Sequence, residues 1–158
     1  MTTLSNFSED EQKLLLGAPM AVLKAAIVVD KRPGPIRHFR KMAAGVKMIL
    51  VSRSDVNPFV QAVALGIVER SGSGKVSKPL PAGEEGGAVA LDQAERTLTL
   101  LRAKAEGDAE DYGMWLVGIA TSVIESGRSG SGALLGGNTA IKPAERSFID
   151  RLTELAQG

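Results

Sequence analysis

The chain has 158 residues, 44% hydrophobic and 23% charged, values that fit one globular domain and exclude wholesale disorder. It has no cysteine, which removes disulfides, thiolate metal sites and thiol catalysis together, and an aromatic content of 4% predicts an aliphatic core of Leu, Val, Ile, Ala and Met. Net charge is +1, yet residues 1–79 hold 12 Lys/Arg against 6 Asp/Glu and residues 80–158 hold 7 against 12, so the halves carry +6 and −5. That asymmetry points to a basic contact face or to head-to-tail self-association, with two plain solvated surfaces as the alternative.

The opening "MTTLSNFSEDEQ" has neither the basic leader nor the apolar stretch of a secretory signal, and no apolar run reaches the ~20 residues that span a bilayer; a cytoplasmic location is expected. Ser8 stands three residues before Glu11, the spacing of a reciprocal helix cap, and predicts a short helix to about Leu16. "GAPMAVLKAAIVVD" then reads as a separate buried helix with Pro19 in its first turn, ended by "KRPGP". From Ile36 to Leu50 the apolar positions Ile36, Phe39, Met42/Ala43, Val46 and Ile49/Leu50 follow helical spacing, leaving Arg37, Arg40, Lys41 and Lys47 for the solvated side. Asn57-Pro58 caps and opens a helix through about Glu69. A Gly/Ser/Pro/Lys-rich connector is expected from Ser71 to about Gly87, then a helix from Leu91 to about Ala105. "EGDAED" reads as a turn into a helix that begins near Asp111 and contains Trp115 and Val123, and after a second glycine-rich connector Pro143 opens a last helix to Leu155.

Part of this order repeats. "GGAVALDQAERTL" at 86–98 and "GGNTAIKPAERSF" at 136–148 share Gly86/Gly136, Gly87/Gly137, Ala90/Ala140, Ala94/Ala144, Glu95/Glu145 and Arg96/Arg146. Upstream, "PFVQAVALGIVE" can be laid over "MWLVGIATSVIE", pairing Phe59 with Trp115, and each segment runs into "RSGSG". The fold expected is therefore all-α, a single compact bundle of about seven helices over residues 1–158, divided into N-terminal helices (1–56) and two helix–connector–helix units (57–105 and 106–158). Both "RSGSG" tracts look like phosphate loops but follow helices, where carbonyls and the negative dipole end are exposed, so they read as connectors. Position 69, where a GxxxxGK loop ending at Lys75 needs glycine, is Glu69.

Chemistry-bearing residues are sparse. The single histidine, His38, sits among Arg37, Arg40 and Lys41 without a carboxylate to orient its ring, and no nucleophile elbow is present. The run Glu106, Asp108, Glu110, Asp111 alternates like a calcium loop but has Asp111 where a glycine turn is required, and it reads better as helix-capping acid. No catalytic residue, metal site or cofactor is assigned. The informative stretch is "KRPGPIRHFRKMAAGVK", whose Lys31, Arg32, Arg37, Arg40, Lys41 and Lys47 are candidate contacts for an anion or an acidic surface. Pro35 removes a backbone donor that a phosphate would use, and Phe39 falls on the expected buried side, which weakens a nucleic-acid reading without removing it.

The opening "FSEDEQKLLLGAP", the Leu/Ile-x-x-x-Glu segments Leu91 to Glu95 and Ile141 to Glu145, and Asp30 after the apolar helix resemble the TerB-like helical family, associated with tellurite resistance and stress responses. In that family an aspartate-glycine turn followed by glutamates binds divalent metal. Here Asp30 precedes "KRPGPIRHFRK", and the second turn is Gly136-Gly137-Asn138. The resemblance implies a compact helical module that interacts and does not turn over substrate. The function expected is thus a non-enzymatic interaction protein, self-associating or with a protein partner, and the alternative is nucleic-acid or anion binding by the basic helix 36–50.

Overall fold

A computed structural model describes residues 2–71, 79–127 and 141–158. Among these residues the protein is all-helical: α1 (Glu9–Val28), α2 (Pro35–Val51), α3 (Pro58–Ser71), α4 (Glu84–Lys104), α5 (Glu106–Ser126) and α6 (Pro143–Gln157), with short 3-10 turns at Leu4–Asn6 and Ser52–Ser54. The helix α1 is central and packs on α2, α3, α4 and α5, while α6 closes the far side against α4 and α5. None of these helices is long and apolar enough to cross a membrane.

The two helices expected before residue 30 are one. The cap forms as the spacing requires, since Glu11 N donates to Ser8 Oγ and Ser8 N donates to Glu11 Oε2 at 3.3 and 2.9 Å. Instead of ending, the helix runs through Pro19. A proline here lacks the amide that would donate to the carbonyl of Leu15, four residues back, and Leu15 is fully buried. The Tyr112 hydroxyl of α5 supplies the missing donor, 2.7 Å from that oxygen. Burial pushes the Tyr112 hydroxyl well above its ordinary range and keeps it a donor. A long-range contact thus completes a backbone ladder that local sequence leaves open.

Tyr112 also belongs to an aromatic ladder, Phe7–Phe59–Tyr112–Trp115, with centroids 5.8, 6.2 and 5.7 Å apart. Four of the six aromatics are therefore gathered at one end of the core, which is aliphatic along much of α1, α4 and α5. Asn57 secures the same end. Its Oδ1 accepts from Phe59 N and Val60 N, and its Nδ2 donates to Asp108 and Asp111, tying the start of α3 to the first turns of α5.

Two connector boundaries move. α4 begins at Glu84, earlier than expected, and includes Gly86 and Gly87. Gly83 adopts φ +81 as the cap and donates to Val28 O at 2.8 Å, and a side chain at Gly86 would collide with the Pro81 carbonyl. Gly83 thus serves the turn, and Gly86 and Gly87 serve close packing. α5 begins at Glu106, with Ala105 alone turning the corner from α4, so the acidic run lies inside the helix and favours its positive end. α3 and α5 end where the two "RSGSG" tracts leave them, but the tracts, like Gly136, Gly137 and Asn138, lie mostly or wholly outside the described residues. The proposed repeat units pack differently: α5 lies along α6, whereas α3 and α4 barely meet.

Tyr112→Phe is expected to lower the unfolding free energy by about 1–3 kcal/mol in urea titrations, the cost of stranding a buried carbonyl. In a Pro19→Ala background the new amide can take the Leu15 oxygen, so the same change should cost less than half as much. Equal losses in both backgrounds would show that the hydroxyl is not substituting for the amide.

Candidate interaction surface

Helix α2 starts on Gly34 and Pro35, where a missing amide is harmless, and carries no acidic residue. Three inward features set its rotation. Lys41, Gly45 and Ile49, four residues apart, form the buried row. At Gly45 an added Cβ would stand 2.5 Å from Leu23 and 3.0 Å from Val123, both fully buried, so only glycine lets α2 lie this close to α1 and α5. Beyond Ile49, buried Ser52 donates to Met48 O at 2.7 Å and accepts from Trp115 Nε1 at 2.8 Å, fixing the C-terminal end.

Lys41 therefore does not belong to the solvated basic face on which the sequence places it. Its side chain is 6% exposed, with Nζ 3.4 Å from both Glu145 Oε2 and Ile27 O. Glu145 is equally buried and accepts from the Lys142 amide at 3.0 Å through Oε1, so it caps α6 and neutralises Lys41 at once. The lysine stem passes beside Gly127 at the end of α5. One side chain thus joins the ends of α1, α5 and α6 to the middle of α2. Burial holds the Lys41 ammonium below its usual 10.5, opposed by the Glu145 carboxylate and hydrogen bond, with Arg37 lowering it further and Asp30 raising it. Glu95, the counterpart of Glu145 in the sequence repeat, is exposed on α4.

With the Lys41–Gly45–Ile49 row inside, Ile49 is buried and Met42 packs on the core as expected, but the rest of the stripe expected to be buried faces out. Ile36 and Phe39 are 78% and 74% exposed, Val46 and Leu50 40% and 39%, and Ala43 between them is exposed as well. Val51 at the helix end adds to this surface at 63%. Arg40 and Lys47, seven residues apart, run alongside the stripe and are exposed, as is Arg37. Lys31 and Arg32 are exposed in the segment before α2, where Arg32 Nη2 donates to Leu80 O at 3.2 Å. Five of the six candidate cations thus reach the surface, and Lys41 is the exception. His38 is half-buried on α2 with no carboxylate hydrogen-bonded to it among the described residues. Those residues also contain no group of three or more His, Asp or Glu arranged to hold a metal ion.

What this arrangement offers chemically is a contact surface: bulky apolar side chains that a folded chain normally hides, beside a row of positive charge. A sequence signal for it exists in hindsight. A glycine inside a helix costs about 1 kcal/mol relative to alanine, and Gly45 marks the side that must approach its neighbours closely. No family model, curated protein or solved structure matches the chain.

Lys41→Met keeps the stem but strands the buried Glu145 carboxylate, and it is expected to destabilise the fold by about 3–5 kcal/mol in urea titrations. Lys41→Met/Glu145→Gln, which removes both charges, should recover much of that loss. If the double change is as unstable as the single one, the lost packing of the ammonium group, and not an unpaired charge, sets the cost.

Proposed function

We propose that this protein is a non-enzymatic helical interaction module that works by protein contact through the outer face of α2. The observation that carries the reading is the outward stripe Ile36, Phe39, Ala43, Val46, Leu50 on a helix whose other side is firmly anchored. Large apolar side chains held at the surface gain free energy only when a second surface covers them, at about 25 cal/mol for each Å² removed from water. The five surface cations belong to the same contact and orient the partner by charge. The bundle behind α2 serves as a rigid mount, built from two sequence-related helix pairs, 57–105 and 106–158, that have come to pack differently. A cytoplasmic, stress-related role, as the TerB-like resemblance implies, is part of the same proposal.

A second reading rests on one observation. Phe39 is exposed next to Arg40, so an unpaired base could stack on its ring while cations follow the backbone. Nucleic-acid binding by α2 is the alternative for that reason.

A photo-crosslinking phenylalanine analogue placed at position 39 in living cells separates the two. A discrete, protease-sensitive adduct, reduced at least about tenfold by Leu50→Asp and absent when the analogue stands at exposed Glu85, is the expected result. A nuclease-sensitive adduct would select the alternative, and no adduct at position 39 would remove α2 as a contact surface.

A further inference from the structure

We infer that the occupant of the outer face of α2 is a single amphipathic helix of another protein, apolar along one seam and acidic beside it. The inference rests on the reading of α2 as a protein-contact surface and adds the chemistry of the partner.

Spacing comes first. Ile36, Phe39, Ala43, Val46 and Leu50 are separated by three, four, three and four residues, which is the a/d alternation of a helix that meets another helix. A second helix matches that average of about 3.5 residues, because it keeps a seam in register along both axes. In the middle of the seam Ala43 is short while Phe39 and Val46 on either side are large, leaving a hole for one bulky apolar knob.

Charge then selects among helices. In the same frame Arg40 and Lys47 occupy the two e positions, and Lys47 has no ion pair among the described residues. The opposite flank, Met42 and Ile49, is turned into the core, so one side of the seam is walled by the bundle and the other carries Arg40 and Lys47. A second copy cannot meet this demand through its own α2. Antiparallel pairing sets e against e, which would place Arg40 and Lys47 of one chain against the same cations of the other, and α2 contributes no acid. A helix with Glu or Asp on its facing flank satisfies both the seam and the charge.

The test uses two synthetic helical peptides of about three heptads with Ile at a and Leu at d, one with Glu and one with Lys at every e and g position. Fluorescence anisotropy at low salt is expected to show the acidic peptide binding the full-length protein roughly five- to tenfold more tightly than the basic one, with the gap closing as salt rises. Phe39→Asp/Leu50→Asp should abolish binding of both. Arg40→Glu/Lys47→Glu should reverse the preference, a gain that misfolding cannot imitate. Equal binding of the two peptides, failure of both to bind, or tighter α2-dependent binding to duplex DNA or to phosphatidylserine vesicles would overturn the inference. If the protein adduct at position 39 forms in cells while the peptides show no preference, the partner chemistry is wrong and the contact surface stands; if both results are negative, the surface itself is wrong.

Discussion

The placement of α2 depends on how closely it approaches the bundle at Gly45. With a Cβ there the helix would meet Leu23 and Val123 at distances that well-ordered side chains do not tolerate, and both residues are fully buried. Because the glycine must face in, the residues half a turn round must face out. The most apolar side of α2 is therefore displayed and a lysine is buried, an arrangement that hydrophobicity alone would reverse.

Burying Lys41 is not a route to stability. Desolvating an ammonium and a carboxylate costs several kcal/mol each, and their attraction roughly repays this only when the remaining hydrogen-bonding groups are satisfied. Here they largely are: Lys41 reaches the Ile27 carbonyl as well as Glu145, and Glu145 caps α6. No buried side-chain polar atom lacks a partner among the described residues. What the pair contributes is position. A rotation of α2 that brought Phe39 and Val46 inward would strand Glu145 and the end of α1, so the charged pair penalises the alternative packing that the apolar stripe would otherwise favour.

The local rules that sequence obeys were legible wherever the deciding atoms lie within a few residues of one another. The Ser8/Glu11 cap, the Asn57 cap and the breaks at Pro33 and Pro35 are of this kind, and each stands where the spacing places it. Pro19 was misleading because the donor that rescues its helix, Tyr112, is 97 residues from Leu15 along the chain. The glycines at 83, 86 and 87 resemble a linker in composition, yet besides nearby Pro81 their role is set by Val28, Val29 and Phe148, which no local window contains. The α2 surface failed for a related reason. Periodicity identifies an apolar stripe without saying whether the molecule itself or a partner covers it, and Lys41 with Gly45 decides the matter through contacts to α1, α5 and α6.

The size of the face limits what kind of contact it can make. Seventeen residues of helix are about 25 Å long, and one side of such a helix offers a strip well short of the roughly 800 Å² that each partner contributes to a standard stable interface. Much of the strip is apolar and its charges lie at the edge, where they hasten encounter more than they prolong the complex. A contact of the proposed form is weak, reversible and sensitive to salt. The anchoring of α2 compensates in part: its backbone and the row beneath the stripe are already fixed, so binding orders little beyond the exposed side chains and the partner itself.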